Sequence, residues 1–177
     1  MKCPKCNKMD LRATKLEDEL VAANCQKCDG NLIPLFFYRD WAKNASVLSS
    51  NIADISELAA SDAKAAIICP KCGKLMTKYR IDSKSKNHID ICHECDEAWL
   101  DGGEWNLLKE LNIHDSLTQI STESWQNQIH KQECADRRRT ILIKTVGEEL
   151  TDKVDEFKAV IDSSKYKEDI IRYLNKD

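Results

Sequence analysis

The chain has 177 residues, nine of them cysteine, with 32% charged residues and a formal net charge of −3. That length fits one ordinary domain or a few small ones, and the negative balance excludes a global positive field that would hold nucleic acid non-specifically. The longest apolar stretch, Leu32 to Phe37 interrupted by Pro34, is far too short to span a membrane.

The first segment, residues 1–41, opens Met1-Lys2-Cys3-Pro4, with neither an apolar signal region nor a small-residue cleavage site. A cytoplasmic, reducing setting is therefore expected, in which paired cysteines bind metal rather than form disulfides. Cys3/Cys6 is followed after 18 residues by Cys25/Cys28. At this spacing four thiolates can close tetrahedrally on one Zn²⁺. Residues 42–66 form a connection rich in Ala and Ser, with a short amphipathic helix expected around Ile52, Ile55 and Leu58/Ala59.

Residues 67–111 repeat the first pattern. Cys69/Cys72 is followed after 19 residues by Cys92/Cys95, and Cys3-Pro4-Lys5-Cys6 matches Cys69-Pro70-Lys71-Cys72. An apolar dipeptide follows each second pair at the same place, Leu32-Ile33 and Trp99-Leu100. The simplest account is one duplicated unit. Two Zn²⁺ per chain are expected, each filling its coordination with four cysteines and leaving no position for water, so the role is structural. A small unit buries too little apolar surface to fold alone, and a structural zinc supplies on the order of 10 kcal/mol toward it.

Between Cys72 and Cys92, Leu75, Thr77, Tyr79 and Ile81 alternate with Lys74, Met76, Lys78, Arg80 and Asp82, a half-buried strand. Asp82 to Asn87 reads as a turn, and Ile89 and Ile91 lead back to Cys92. The result is a zinc ribbon: a β-hairpin held between two cysteine knuckles. His93, inside the last CxxC, reads as an exposed knuckle residue rather than a ligand. His88, His114 and His130 lack ligand spacing. The unpaired Cys134 stands beside Glu133 and Asp136, which oppose thiolate formation.

Asp101-x-x-Glu104 reads as a capping box opening a helix through Trp105, Leu107/Leu108 and Leu111. The segment Cys69-Pro70-Lys71-Cys72, a hairpin, then Cys92-x-x-Cys95 through Trp99-Leu100-Asp101-Gly102-Gly103-Glu104-Trp105 resembles the transcription-factor-IIB-type zinc-finger domain of many small bacterial proteins. The resemblance is best over 69–105, and the first repeat looks like a divergent tandem copy with Leu32-Ile33-Pro34 in place of Trp-Leu-Asp. It implies zinc on the eight paired cysteines and transcription-related or nucleic-acid work.

Residues 112–177 read as an α-helical module. Ser121 or Thr122 caps a helix running to about Thr145, Gly147 interrupts it, and Val154, Phe157 and Val160/Ile161 continue at helical spacing. A last helix carries Tyr166, Ile170, Ile171 and Leu174. The expected fold is α+β, two small zinc-dependent β units followed by helices. The expected function is a non-enzymatic zinc-binding adaptor, its helical module contacting a protein or a second copy. No nucleophile elbow, phosphate-cradling glycine loop or HExxH motif occurs. A second reading is nucleic-acid binding through Lys74, Lys78, Arg80, Lys84 and Lys86 on the second hairpin, and a third is a thiol/zinc redox switch.

Overall fold

The computed structural model describes residues 1–17, 19–44 and 65–176, so the helix expected around Ile52, Ile55 and Leu58/Ala59 lies outside the described residues. The fold is α+β. Strands β1 (Arg12–Lys15), β2 (Val21–Asn24), β3 (Asn31–Pro34), β4 (Thr77–Arg80), β5 (His88–Cys92) and β6 (Glu97–Leu100) build one antiparallel sheet in the order β1-β2-β3-β6-β5-β4. Helices α1 (Leu35–Asn44), α2 (Glu104–Glu110), α3 (Leu117–Ile120), α4 (Glu123–Val146), α5 (Glu148–Ser163) and α6 (Lys167–Leu174) complete it. The chain divides into two compact units, Met1–His130 and Lys131–Asp177.

The sequence separates two ribbons, each with a core of its own. In the structure they are halves of one sheet, because β3 pairs with β6 along Asn31↔Leu100, Leu32↔Trp99, Ile33↔Ala98 and Pro34↔Glu97. Leu32 and Trp99 hold the same place in the two repeats and face each other, so a local pseudo-twofold passes between them. Each third strand would otherwise be an open edge with unpaired N–H and C=O groups, and their mutual pairing removes both edges. Each repeat also exits into a helix, α1 after β3 and α2 after β6.

Strand alternation gives the sheet two apolar faces. One carries Ile33, Ile89, Ile91, Ala98 and Leu100 against Leu35 and Tyr38 of α1, Trp105, Leu107 and Leu108 of α2, and Leu117 and Ile120 of α3. Buried Tyr38 donates its hydroxyl to the His114 carbonyl at 2.8 Å and accepts the Leu117 N–H at 2.9 Å, so that hydroxyl is satisfied as both donor and acceptor. The other face gathers Leu32, Ile67, Met76 and Trp99 with Cys3, Cys25, Cys69 and Cys92. At the β4 edge, the Gln126 side chain acts as a seventh strand. Its Oε1 accepts the Arg80 N–H at 3.2 Å and its Nε2 donates to the Arg80 carbonyl at 3.0 Å.

Two local expectations change. The strand read from Leu75 to Ile81 is shorter. Leu75 is 66% exposed beside the knuckle, while Met76 turns inward to the cysteine face. The capping box forms by half: the Asp101 N–H donates to Glu104 Oε2 at 2.8 Å, but α2 begins after Gly103, at φ 89°. The Asp101 carboxylate is already engaged by the Trp99 indole N–H at 2.9 Å and the Lys5 ammonium at 3.1 Å, stronger partners than a helix N–H.

Helix α4 starts as read from the sequence. The Thr122 hydroxyl accepts the Trp125 N–H at 3.3 Å, and Gly147 at φ 87° separates α4 from α5. Arg139 of α4 then bonds Asp155 of α5 at 2.8 Å.

Candidate metal centres

Each CxxC pair is a tight turn, and the sequence chooses the residue that closes it. Directly after the second cysteine come Asn7, Asp29, Gly73 and Asp96, all with left-handed φ of 56°, 55°, 72° and 56°. Asn, Asp and Gly tolerate that conformation best. The turn brings the N–H of Asn7 back to the Cys3 carbonyl at 2.8 Å, of Asp29 to Cys25 at 2.8 Å, and of Gly73 to Cys69 at 2.9 Å. Both sulfurs of a pair then point the same way, and the Cys6 N–H donates to Cys3 Sγ at 3.3 Å.

The hairpins bring facing knuckles together. Cys3, Cys6, Cys25 and Cys28 form one group and Cys69, Cys72, Cys92 and Cys95 the other, with the four sulfurs of each group within 4.8 Å of one another. Cys3 and Cys28 Sγ are 3.6 Å apart, and Cys72 and Cys92 Sγ 3.5 Å. These separations exceed the S–S bond of about 2.05 Å, and none of the nine cysteines is in a disulfide. In each group the first cysteine of both knuckles is buried, and only Cys72 is exposed.

The electrostatics of each quartet call for a cation. For Cys25, burial opposes ionisation, yet the N–H groups of Cys28 and Lys27 outweigh it and bring the thiol down to about 7. For Cys72 the Lys74 N–H is the chief cause of a fall to about 7. Their neighbours move the other way. Burial pushes Cys3, Cys28 and Cys92 up, and hydrogen bonding to Cys72, with burial, pushes Cys95 up to about 12. One sulfur per group ionises readily and further thiolates beside it are repelled. A divalent ion at the centre removes that repulsion, so the donor set fits a metal at both places.

Buried carboxylates brace both centres from behind. Lys5 of the first CPKC knuckle grips Asp101, and Lys71 of the second grips Glu97; each carboxylate is only 2% exposed. Trp99 lies between the two groups, and Gly30 makes room for it. A Cβ on Gly30 would stand 2.3 Å from Trp99 Cζ2. Gly102 lies as close to the first group, where a Cβ would meet the Cys28 carbonyl at 2.4 Å. Sequence reading missed these braces. The repeated CPKC lysine was the signal for the first, while nothing local marks Gly30.

The remaining candidates are placed elsewhere. His93 points to Tyr79, whose hydroxyl lies 2.8 Å from Nε2, and among the described residues no histidine joins either cysteine group. Cys134 lies in α4, outside both cysteine groups. Of the basic cluster, Lys74 bonds exposed Glu94 at 2.6 Å, Lys78 bonds buried Asp90 at 3.0 Å, and Arg80 donates to the Ser85 carbonyl at 2.9 Å. Lys84 and Lys86 are exposed in the hairpin turn. No helix among the described residues is long and apolar enough to cross a membrane. Compared with protein-family models, curated proteins and solved structures, the chain matches none.

Proposed function

We propose that the chain is a non-enzymatic zinc-binding adaptor, in which two Zn²⁺ ions lock the duplicated sheet into a rigid platform and the C-terminal helices contact a protein. The observation that carries this reading is the gathering of four sulfurs within 4.8 Å, twice. A tetrahedral zinc with Zn–S bonds of about 2.3 Å needs sulfurs about 3.8 Å apart, close to the separations found. Cys3, Cys6, Cys25 and Cys28 would hold one ion, and Cys69, Cys72, Cys92 and Cys95 the other. Bound zinc supplies charge neutralisation and a cross-link. The chain's part is to fix the sulfur positions through left-handed turns and to exclude water with Trp99, Leu32 and Met76.

Four thiolates leave no coordination site for substrate, which favours a structural role over a catalytic one. The nucleic-acid reading draws on the same hairpin but has fewer free cations than the sequence suggests, since Lys74 and Lys78 are held by carboxylates. Elemental analysis of purified protein tests the proposal: two zinc atoms per chain are expected, with loss of β-sheet structure on chelation. Zinc near zero in protein that stays folded rejects it. Heparin retention that disappears in a variant with glutamate at all five basic positions would transfer the function to nucleic acid.

A further inference from the structure

The two sulfur quartets are built alike but are not equally reachable. In the first, Cys3 and Cys25 are buried and Cys6 and Cys28 half-buried. In the second, Cys69 and Cys92 are buried, Cys95 is half-buried and Cys72 is exposed. The residue after Cys72 offers it no screen. It is Gly73, where even a Cβ would meet nothing within 4 Å beyond its chain neighbours, whereas Cys6 is followed by Asn7. In a quartet that holds zinc all four sulfurs are thiolates, so ionisation does not rank them and access does. Cys72 Sγ also lies 3.5 Å from Cys92 Sγ on the facing knuckle, a short approach from the S–S bond length of about 2.05 Å.

We infer that Cys72 is an oxidation site, at which hydrogen peroxide opens the second centre and a Cys72–Cys92 disulfide takes the place of the metal. The inference rests on the reading that both quartets hold zinc. The Cys72 thiolate attacks one peroxide oxygen, the O–O bond breaks, and hydroxide leaves with the sulfur oxidised to a sulfenic acid. The Cys92 thiolate then attacks that sulfur, forms the S–S bond and displaces a second hydroxide. Burial of Cys92 does not hinder this step, since its target is already beside it. Two electrons pass from the sulfurs to the peroxide, and solvent protons carry both hydroxides to water. Cys69 and Cys95 remain as two donors where a closed site needs four, so the ion is lost.

The disulfide joins the same two knuckles that the metal joined. Cys72 precedes β4 and Cys92 ends β5, so the hairpin stays closed and the β5–β6 and β3–β6 ladders keep their support. A bond between Cys69 and Cys72 would lie within one knuckle and could not do this. A thiol reductant reverses the change by exchange and returns the four donors.

Peroxide treatment of the full-length protein carrying both ions tests the site. One zinc should leave about 10-fold faster than the other, read with a chromophoric indicator. Peptide mapping after alkylation should find the Cys72–Cys92 bond, with Cys3, Cys6, Cys25 and Cys28 still reduced. Circular dichroism should retain the β-sheet signal that a chelator abolishes, and a thiol reductant with added zinc should restore the second ion. Loss of both ions at one rate, any other first disulfide, sulfinic acid at Cys72, or loss of the sheet on oxidation would each overturn the site. In protein that carries two zinc ions, each of those outcomes leaves the metal reading standing. Protein that carries no zinc yet forms the Cys72–Cys92 bond overturns the metal reading and keeps Cys72 as the oxidation site.

Discussion

The two repeats share their knuckles and differ in almost everything placed around them. Across the first knuckle, repeat one bridges Lys2 and Asp10 with an ion pair at 2.9 Å, where repeat two bridges Ile68 and Leu75, both more than half exposed. At the pseudo-twofold, repeat one supplies Leu32 and repeat two the much larger Trp99. Opposite that indole repeat one has Gly30, while the matching place in repeat two is Glu97, which holds Lys71. The cysteine geometry is fixed by the left-handed turn that both repeats share. The residues between the two copies have diverged as complementary pairs, so neither half makes a good copy of the other.

The comparison breaks most forcefully at the sulfurs. Cys25→Ser and Cys92→Ser should each lose one metal ion and, because β3 and β6 share a ladder, should unfold both repeats rather than one. The free energy at stake is on the order of 10 kcal/mol per site, about the whole stability of a typical domain. Elemental analysis with a thermal melt measures it. A variant that retains one intact, cooperatively melting repeat would show that the halves are independent.

The central pair sharpens the comparison next. Trp99→Ala should cost about 3–5 kcal/mol and Leu32→Ala about 2–4 kcal/mol, because both are fully buried but the indole fills more space. Gly30→Ala should be destabilising by about 2 kcal/mol or more with Trp99 present and nearly neutral with Trp99→Leu. A double-mutant cycle by denaturant unfolding reads the coupling. Additive effects would mean that Gly30 is not the slot for this ring.

How far the sequence could be read follows from the same contrast. The grouping of the eight cysteines was legible because their spacing is a local pattern, and the left-handed Asn, Asp or Gly after each CxxC belongs to that pattern. The Thr122 cap and the Gly147 break were legible for the same reason. Docking of β3 on β6 was not, because Leu32-Ile33-Pro34 and Glu97-Ala98-Trp99-Leu100 carry no mark that each is the other's neighbour. The role of Asp101 was misread since its chemistry suits a helix cap, and only the fold shows Lys5 and the Trp99 N–H reaching it first. Helix α1 went unread because Leu32-Ile33-Pro34 stands where the second repeat has Trp-Leu-Asp, so no capping residue marks its start.

The lysine braces give a smaller and more discriminating contrast. Both reach buried carboxylates, but the Lys5 side chain is 24% exposed and that of Lys71 is 44% exposed. Lys5→Met should therefore cost about 2–3 kcal/mol by removing the ammonium that balances the buried Asp101 charge, and Lys71→Met nearer 1 kcal/mol, since solvent screens that pair more. Burial already raises the Glu97 pKa, so that carboxyl meets the loss partly by taking a proton. Equal losses in urea unfolding would show that exposure of the lysine does not set the difference.

The smallest expected effect is kinetic and separates the two centres themselves. A chelator removes zinc by replacing thiolates one at a time, so the first step favours a sulfur that solvent can reach. Cys72 is exposed, whereas its counterpart Cys6 is half buried beside Cys3. The second centre should therefore release its ion first, by a few-fold to about 10-fold in rate, which corresponds to at most about 1.4 kcal/mol in barrier height. A chromophoric chelator in stopped flow should show two phases of equal amplitude. Oxidation by a thiol-selective reagent should follow the same order, because an accessible, readily ionised sulfur reacts before a buried one. Mass spectrometry of partly modified protein assigns the phases, with Cys72 labelled ahead of Cys6. Simultaneous release would mean that opening of the shared sheet, rather than exposure of one thiol, limits loss of metal, and the two repeats would then act as a single metal-binding body.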